Sequence, residues 1–265
     1  MGTDAVYGQE HFNPEQKEYI IIGDIHASTK WKQIVDKHQT EHIIFVGDYV
    51  DTYEKISPEK QAKNLKDIID FKNNNLDRCT LLIGNHDYHY TRYALENYIQ
   101  YSGFSRGGKI LYMHLIESLL ETKQIQACKV IDNIIISHAG ISTIWCETYN
   151  INPDNLEEEV NQLLHTDISA FDFLINDPSN KYFPNPYGDN IWQSPLWIRP
   201  KSLAKANFDN TIQIFGHTNQ QNITYNNGLI CVDTLEISGE YLKVTNDKFI
   251  VCNINDDNEK LLINR

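Results

Sequence analysis

Tyr19-Ile20-Ile21-Ile22-Gly23-Asp24-Ile25-His26 is an apolar, mostly β-branched run, a glycine, and then an aspartate and a histidine two positions apart. The run reads as a buried strand, and the glycine marks a sharp exit where the backbone turns. The same order recurs along the chain. His42 to Val46 leads into Gly47-Asp48-Tyr49-Val50-Asp51, and Thr80 to Ile83 into Gly84-Asn85-His86-Asp87. Ile134 to Ile136 leads into Ser137-His138-Ala139-Gly140, and Thr211 to Phe215 into Gly216-His217-Thr218. In α/β sheets such exits converge on one rim, where ligands bind. Five exits carrying Asp, Asn and His describe a site for hard or borderline divalent metals.

Residues two apart on an extended segment share a side, so Asp24 and His26 can grip one ion together. Asp48 is the natural bridge, because a carboxylate has two oxygens and can serve two cations. Asn85, His138 and His217 would complete a second ion. Two cations roughly 3.5–4 Å apart can bind both sides of an attack on phosphorus and hold a hydroxide between them. His86 is not easily a ligand beside Asn85, since adjacent side chains diverge.

The ordered set resembles the calcineurin-like metallophosphoesterases, especially the phosphoprotein-phosphatase branch with its bacterial Ser/Thr phosphatases and diadenosine tetraphosphatases. That pattern is GD-x-H, GD-x-x-D, GNH-[DE], H-x-G and GH, matched here between Tyr19 and Val244. The resemblance implies a two-sheet β-sandwich flanked by helices, within the α/β class. It also implies two divalent ions, of which Mn, Fe and Zn suit the donor set. Asp24, His26 and Asp48 would hold the first, and Asp48, Asn85, His138 and His217 the second. His86 matches the family's general acid, and Asp51 the carboxylate that orients it. An imidazole steadied by a carboxylate suits proton donation to a leaving alkoxide.

The chain departs from that branch at Thr52 and Ile83, where the branch usually carries arginines. Arg199, in Pro195-Leu196-Trp197-Ile198-Arg199-Pro200, is the candidate replacement for binding phosphate, with Arg92 a second. Asp233-Thr234-Leu235 lacks the glycine of the family's Asp-Thr-Gly. The implied reaction is hydrolysis of a phosphomonoester, on a phosphoprotein or a small phosphorylated metabolite, by attack of metal-bound hydroxide. A dinucleoside polyphosphate hydrolase, a phosphodiesterase and a metal-binding scaffold without turnover are the alternatives.

Composition narrows the partners. The 265 residues are 41% hydrophobic and carry a net charge of -13, which argues against nucleic acid. No apolar stretch approaches the roughly 20 residues needed to cross a bilayer. The N-terminus has no secretory signal pattern, and five cysteines form no Cys-x-x-Cys pair, so a reducing cytoplasm is the expected location. The oligomeric state stays open.

One α/β domain over residues 19–252 is expected, after an N-terminal extension (1–18) and before a C-terminal tail (253–265). Helices are expected from Ser28 or Thr29 to about His38, from Ser57-Pro58 to Asn73-Asn74-Asn75, and from Gly108 to Glu121. The last would bury Leu111, Leu115, Ile116, Leu119 and Leu120. A fourth starts at Asn152-Pro153 and buries Leu156, Val160, Leu163 and Leu164. Asn176 to Pro200, with Trp192 and Trp197, reads as a long ordered loop, and its Tyr182, Phe183 and Tyr187 as loop core or a stacking surface. Asn227-Gly228 and Ser238-Gly239 read as turns between short strands. His38, His42, His89, His114 and His165 read as structural.

Overall fold

The computed structural model describes residues 18–99, 103–174, 188–245 and 248–264. The expected runs all form strands: β1 (Glu18–Ile22), β2 (His42–Phe45), β3 (Cys79–Leu82), β6 (Ile134–Ser137) and β7 (Ile212–Phe215). The others are β4 (Ile125–Gln126), β5 (Cys128–Ile131), β8 (Thr224–Asn226), β9 (Leu229–Cys231), β10 (Glu240–Thr245), β11 (Lys248–Asn253) and β12 (Asp256–Asn264). They form two sheets, ordered β12-β11-β10-β1-β2-β3-β4 and β5-β6-β7-β9-β8.

Alternation along the strands explains why both sheets need cover. Ile21, Ile44, Val46 and Leu82 of the first sheet share one core with Ile134, Ile136, Ile212, Ile214 and Ile230 of the second. Their neighbours Ile20, Ile22, Ile43, Phe45 and Leu81 face the other way, onto helices. Those helices are α1 (Trp31–Lys37), α2 (Pro58–Asn74) and α5 (Lys109–Glu121). Strands buried on both faces read as continuous apolar runs, which is how they appear in the sequence. The outer face of the second sheet carries Phe215 and Cys231, packed with Ile198 and with Leu203 of α8 (Pro200–Leu203).

β1, β2 and β3 run parallel, as do β6, β7 and β9. Parallel pairing is what sends the motif-bearing ends of each set out on one edge. Short helices follow two of these ends: α3 (Asn85–Tyr88) and α4 (Arg92–Glu96) after β3, and α6 (Thr143–Thr148) after β6. α7 (Leu156–Thr166) buries Leu156, Val160 and Leu164 as expected, while Leu163 is only half-buried against the core.

Three expectations are adjusted. In α5 the buried residues are Tyr112, Ile116 and Leu119, while Leu111 is exposed, because Tyr112 turns inward onto the ring of Tyr90. α1 begins at Trp31 with no side-chain cap; Ser28 instead accepts from the Lys30 amide. Residues 256–264, within the span set apart as a tail, form edge strand β12 along β11. Of the N-terminal extension only Glu18 lies within the described residues, and Tyr182, Phe183 and Tyr187 lie outside them. Asn227-Gly228 makes the β8–β9 turn with both residues at positive φ. Ser238-Gly239 leads instead into β10, in the other sheet.

Ile214 lies at the centre of the inter-sheet core and Leu261 on the exposed edge. Ile214→Ala is expected to cost about 2–5 kcal/mol. Leu261→Ala should stay within about 0.5 kcal/mol. Urea unfolding midpoints at constant slope check both.

Candidate metal centre and active site

The site begins with a buried carboxylate whose oxygens are taken up by backbone amides. Asp87 accepts the backbone N–H groups of Asp48 (2.8 Å), Tyr49 (2.9 Å) and Gly84 (2.8 Å). It thereby ties the exit of β2 to the exit of β3. Asp48 is held at φ 53°, and its Oδ1 accepts the His86 amide at 2.8 Å. His26, Asp51 and His217 are also left-handed, at φ 42°, 62° and 62°. Backbone strain of this kind persists where surrounding contacts over-determine it, and it gathers at functional sites.

Two groups of donors flank Asp48. On one side are Asp24 and His26; the donor atoms of Asp24, His26 and Asp48 lie within 4.8 Å of one another. His26 Nε2 is 3.8 Å from Asp48 Oδ2 and 3.9 Å from Asp24 Oδ2. On the other side, His138 Nε2 and His217 Nδ1 each lie 2.8 Å from Asn85 Oδ1, and His138 Nε2 is 3.6 Å from Asp48 Oδ1. The two oxygens of Asp48 therefore face different donor sets, as a bridge requires.

Tautomers test whether cations fit. His138 Nδ1 lies 2.9 Å from the Val46 carbonyl, which can only accept, so this nitrogen carries the proton. Burial holds His138 below its ordinary pKa, leaving a neutral ring whose Nε2 lone pair faces the Asn85 oxygen. Two acceptors at hydrogen-bond distance call for a positive ion between or beside them. His26 repeats the device: Nδ1 meets the carbonyls of Asp51 (3.1 Å) and Val50 (3.3 Å), and Nε2 turns towards the two carboxylates. His217 Nε2 is buried without a hydrogen-bond partner among the described residues. Burial, then Asp233 and Asp48, push the Asp24 carboxyl well above its usual range. Burial also raises Asp233, to about 6. Such crowding of buried acid is relieved by bound cations, so the residues present fit divalent metals.

Glycine is needed where these carboxylates pass. A Cβ on Gly84 would sit 2.2 Å from Asp48 Oδ1, and one on Gly216 1.9 Å from Asp24 Oδ1.

Beside the centre, His86 Nδ1 donates to Asp51 Oδ2 at 3.2 Å, and the His86 ring stands edge-on to His26 at 5.1 Å. Burial opposes protonation of His86, but the charges of Asp48, Asp51 and Asp87 outweigh it and raise the imidazole to about 9. Asp51, His86 and His89 also lie close enough to share a cation. Asp51 has both oxygens engaged, however, the second by the Tyr90 hydroxyl at 2.5 Å.

A cleft of about 780 Å³ opens over both groups and is also lined by Tyr53, Phe173, Trp197, Asp233, Glu236 and Arg199. Among the described residues Arg199 is the only arginine lining it. Arg199 Nη1 donates to the His217 carbonyl (3.0 Å) and to Thr218 Oγ1 (3.2 Å), fixing the guanidinium at the second group. Arg92 lies elsewhere, on the surface beside Glu117 and Glu121, because α4 turns it away from the cleft. Ile83 is fully buried in the core, with no room for the arginine of related chains. Tyr90 and Gln61, which accepts the Asp51 amide, were not singled out by the sequence, and Asp87 stood in the third motif without a role. The spacing Asp87-x-x-Tyr90 directly after the third motif was the available signal.

The chain matches the family model of the calcineurin-like phosphoesterases over residues 18–221. It belongs to that family. A metal-dependent phosphoesterase hydrolase is therefore its activity class, and divalent metal ions are its cofactors. No match was found among curated proteins. Among solved structures it is similar to a cold-active protein-tyrosine phosphatase of a psychrophilic Shewanella species. The TM-score is 0.64 and the identity 18%, covering 94% of this chain and 81% of that one. It is also similar to a serine/threonine phosphatase of Saccharomyces cerevisiae with similarity to human phosphatase PP5. There the TM-score is 0.51 and the identity 13%, covering 93% and 79%. At these identities the likeness establishes the fold: an α/β architecture of two sheets flanked by helices. All five cysteines of this phosphoesterase are buried and unpaired, and no described helix is long and apolar enough to cross a membrane.

Gly216→Ala should displace Asp24 and weaken metal binding by about 10–100-fold with the circular dichroism spectrum unchanged; metal titration of the stripped protein checks it. In the metal-free protein His86 should titrate near 9 by NMR. Its folded pKa lies above the unfolded value, so its contribution to stability is complete below about 6.5 and is lost as pH rises through 9. Asp51→Asn should move that midpoint down.

Proposed function

We propose that the chain hydrolyses phosphomonoesters, with Asp24, His26 and Asp48 holding one divalent ion and Asp48, Asn85, His138 and His217 a second. Mixed oxygen and nitrogen donors suit Mn, Fe or Zn. Two such ions would neutralise phosphoryl charge and ready a water for attack at neutral pH. Without them Asp24, Asp48, Asp233 and Glu236 make the cleft hostile to a phosphate.

The observation that carries the reading is the Asp51–His86 pair at the edge of the cleft. Its hydrogen bond to Asp51 fixes Nδ1 as a donor and leaves Nε2 to donate to a ligand. As the bond from phosphorus to the leaving oxygen breaks, that oxygen takes the Nε2 proton, and the imidazole is left neutral against Asp51. Arg199, anchored beside His217, supplies a donor fork for a non-bridging phosphoryl oxygen. Both described neighbours are phosphoprotein phosphatases by name. A phosphoprotein or a small phosphorylated metabolite is accordingly the substrate class.

A second reading rests on the size of the cleft. About 780 Å³ with Phe173 and Trp197 on one wall exceeds what a phosphate needs and leaves room for a nucleoside, as in a dinucleoside polyphosphate.

With Mn²⁺ restored to stripped protein, p-nitrophenyl phosphate should be cleaved faster than bis-p-nitrophenyl phosphate; the reverse order points to a diesterase. His86→Ala should keep both metals and slow the monoester reaction by about 10²–10⁴-fold.

A further inference from the structure

We propose that Tyr90 is a positioning residue for the proton donor, acting through Asp51; this rests on the reading of His86 as the acid. The Tyr90 hydroxyl donates to Asp51 Oδ1 at 2.5 Å, while Asp51 Oδ2 receives His86 Nδ1 at 3.2 Å. The phenol has one proton, and its direction is set from behind. The Ser105 amide donates to the Tyr90 oxygen at 2.7 Å, so that oxygen serves as acceptor there and its own proton goes to Asp51. The donors therefore converge on Asp51: the Ser105 amide on Tyr90, the Tyr90 hydroxyl on Oδ1, and the His86 Nδ1–H on Oδ2.

Packing holds these groups in register. Phe104 stacks on the Tyr90 ring at 5.1 Å and 19°, and Tyr112 meets it edge-on at 4.9 Å. Gly103, at φ 92°, lies so close that a Cβ would sit 2.3 Å from His86 Cε1. The same short segment thus presses on the donor ring and orients the group that aligns it. With Oδ1 committed to Tyr90, Asp51 can offer His86 only Oδ2, which fixes the ring plane and the direction of Nε2. Without the hydroxyl, the carboxylate can rotate and either oxygen can take Nδ1. The carboxylate itself would remain beside the ring, so the loss is one of aim.

Aim matters most when the leaving oxygen needs a proton most. The test compares phenyl phosphate, a poor leaving group, with p-nitrophenyl phosphate, a good one, in wild type, Tyr90→Phe and His86→Gln, all with Mn²⁺. Tyr90→Phe keeps the ring and its stacking. It should lower kcat on phenyl phosphate by about 10–100-fold and on p-nitrophenyl phosphate by less than about 3-fold, with KM and metal content unchanged. His86→Gln should show the same split, enlarged. An equal loss on both substrates, no loss, or loss of metal in Tyr90→Phe overturns the positioning role, provided His86→Gln still splits them. If His86→Gln treats the substrates alike, or wild type turns over neither, the acid reading itself fails and Tyr90 falls with it.

Discussion

Asp87 is the constraint on which the site rests. A carboxylate buried beside two other acids is costly, and this one is retained because three backbone N–H groups converge on it. Those donors come from two different strand exits. Together with the Ile25 and His26 amides on the Asp48 carbonyl, the clasp holds Asp48 in the left-handed region with its two oxygens towards different donor sets. Gly84 is part of the same device, since a side chain there would occupy the space of Asp48 Oδ1.

The histidines are oriented by a second, cheaper means. Backbone carbonyls of Val46, Val50 and Asp51 fix the Nδ1 protons of His138 and His26, so each ring turns a lone pair towards the acids and Asn85. His86 is treated differently. Its Nδ1 meets a carboxylate rather than a carbonyl, and with Asp48 that carboxylate raises the basicity of the ring. Neighbouring imidazoles thus separate into those suited to hold cations and one suited to give up a proton, by the nature of the oxygen behind each.

Much of the fold was legible because its strands are buried on both faces. An apolar run such as Ile43-Ile44-Phe45 admits few other readings, and a glycine at its end locates the exit. The α5 face was misread by one position, since Tyr112 competes with Leu111 and only the presence of the Tyr90 ring decides between them. β12 was missed for a related reason. Most of it is exposed and polar, and it is a strand by virtue of its neighbour β11 rather than of its own pattern. Arg199 was the first phosphate-binding candidate and Arg92 a second; the direction in which α4 leaves the sheet takes Arg92 away from the cleft.

By itself the sequence determined which residues could meet, because donor types placed at successive strand exits can converge on only one rim of parallel strands. It determined the family and the chemical class of the site for the same reason. Tertiary structure alone decided which oxygen faces which nitrogen. Tautomers, the two-sided use of Asp48, the clasp of Asp87 and the alignment of Tyr90 behind Asp51 all join residues on different elements. Their geometry is set by distances of a few tenths of an ångström, which packing controls and local sequence preference does not encode.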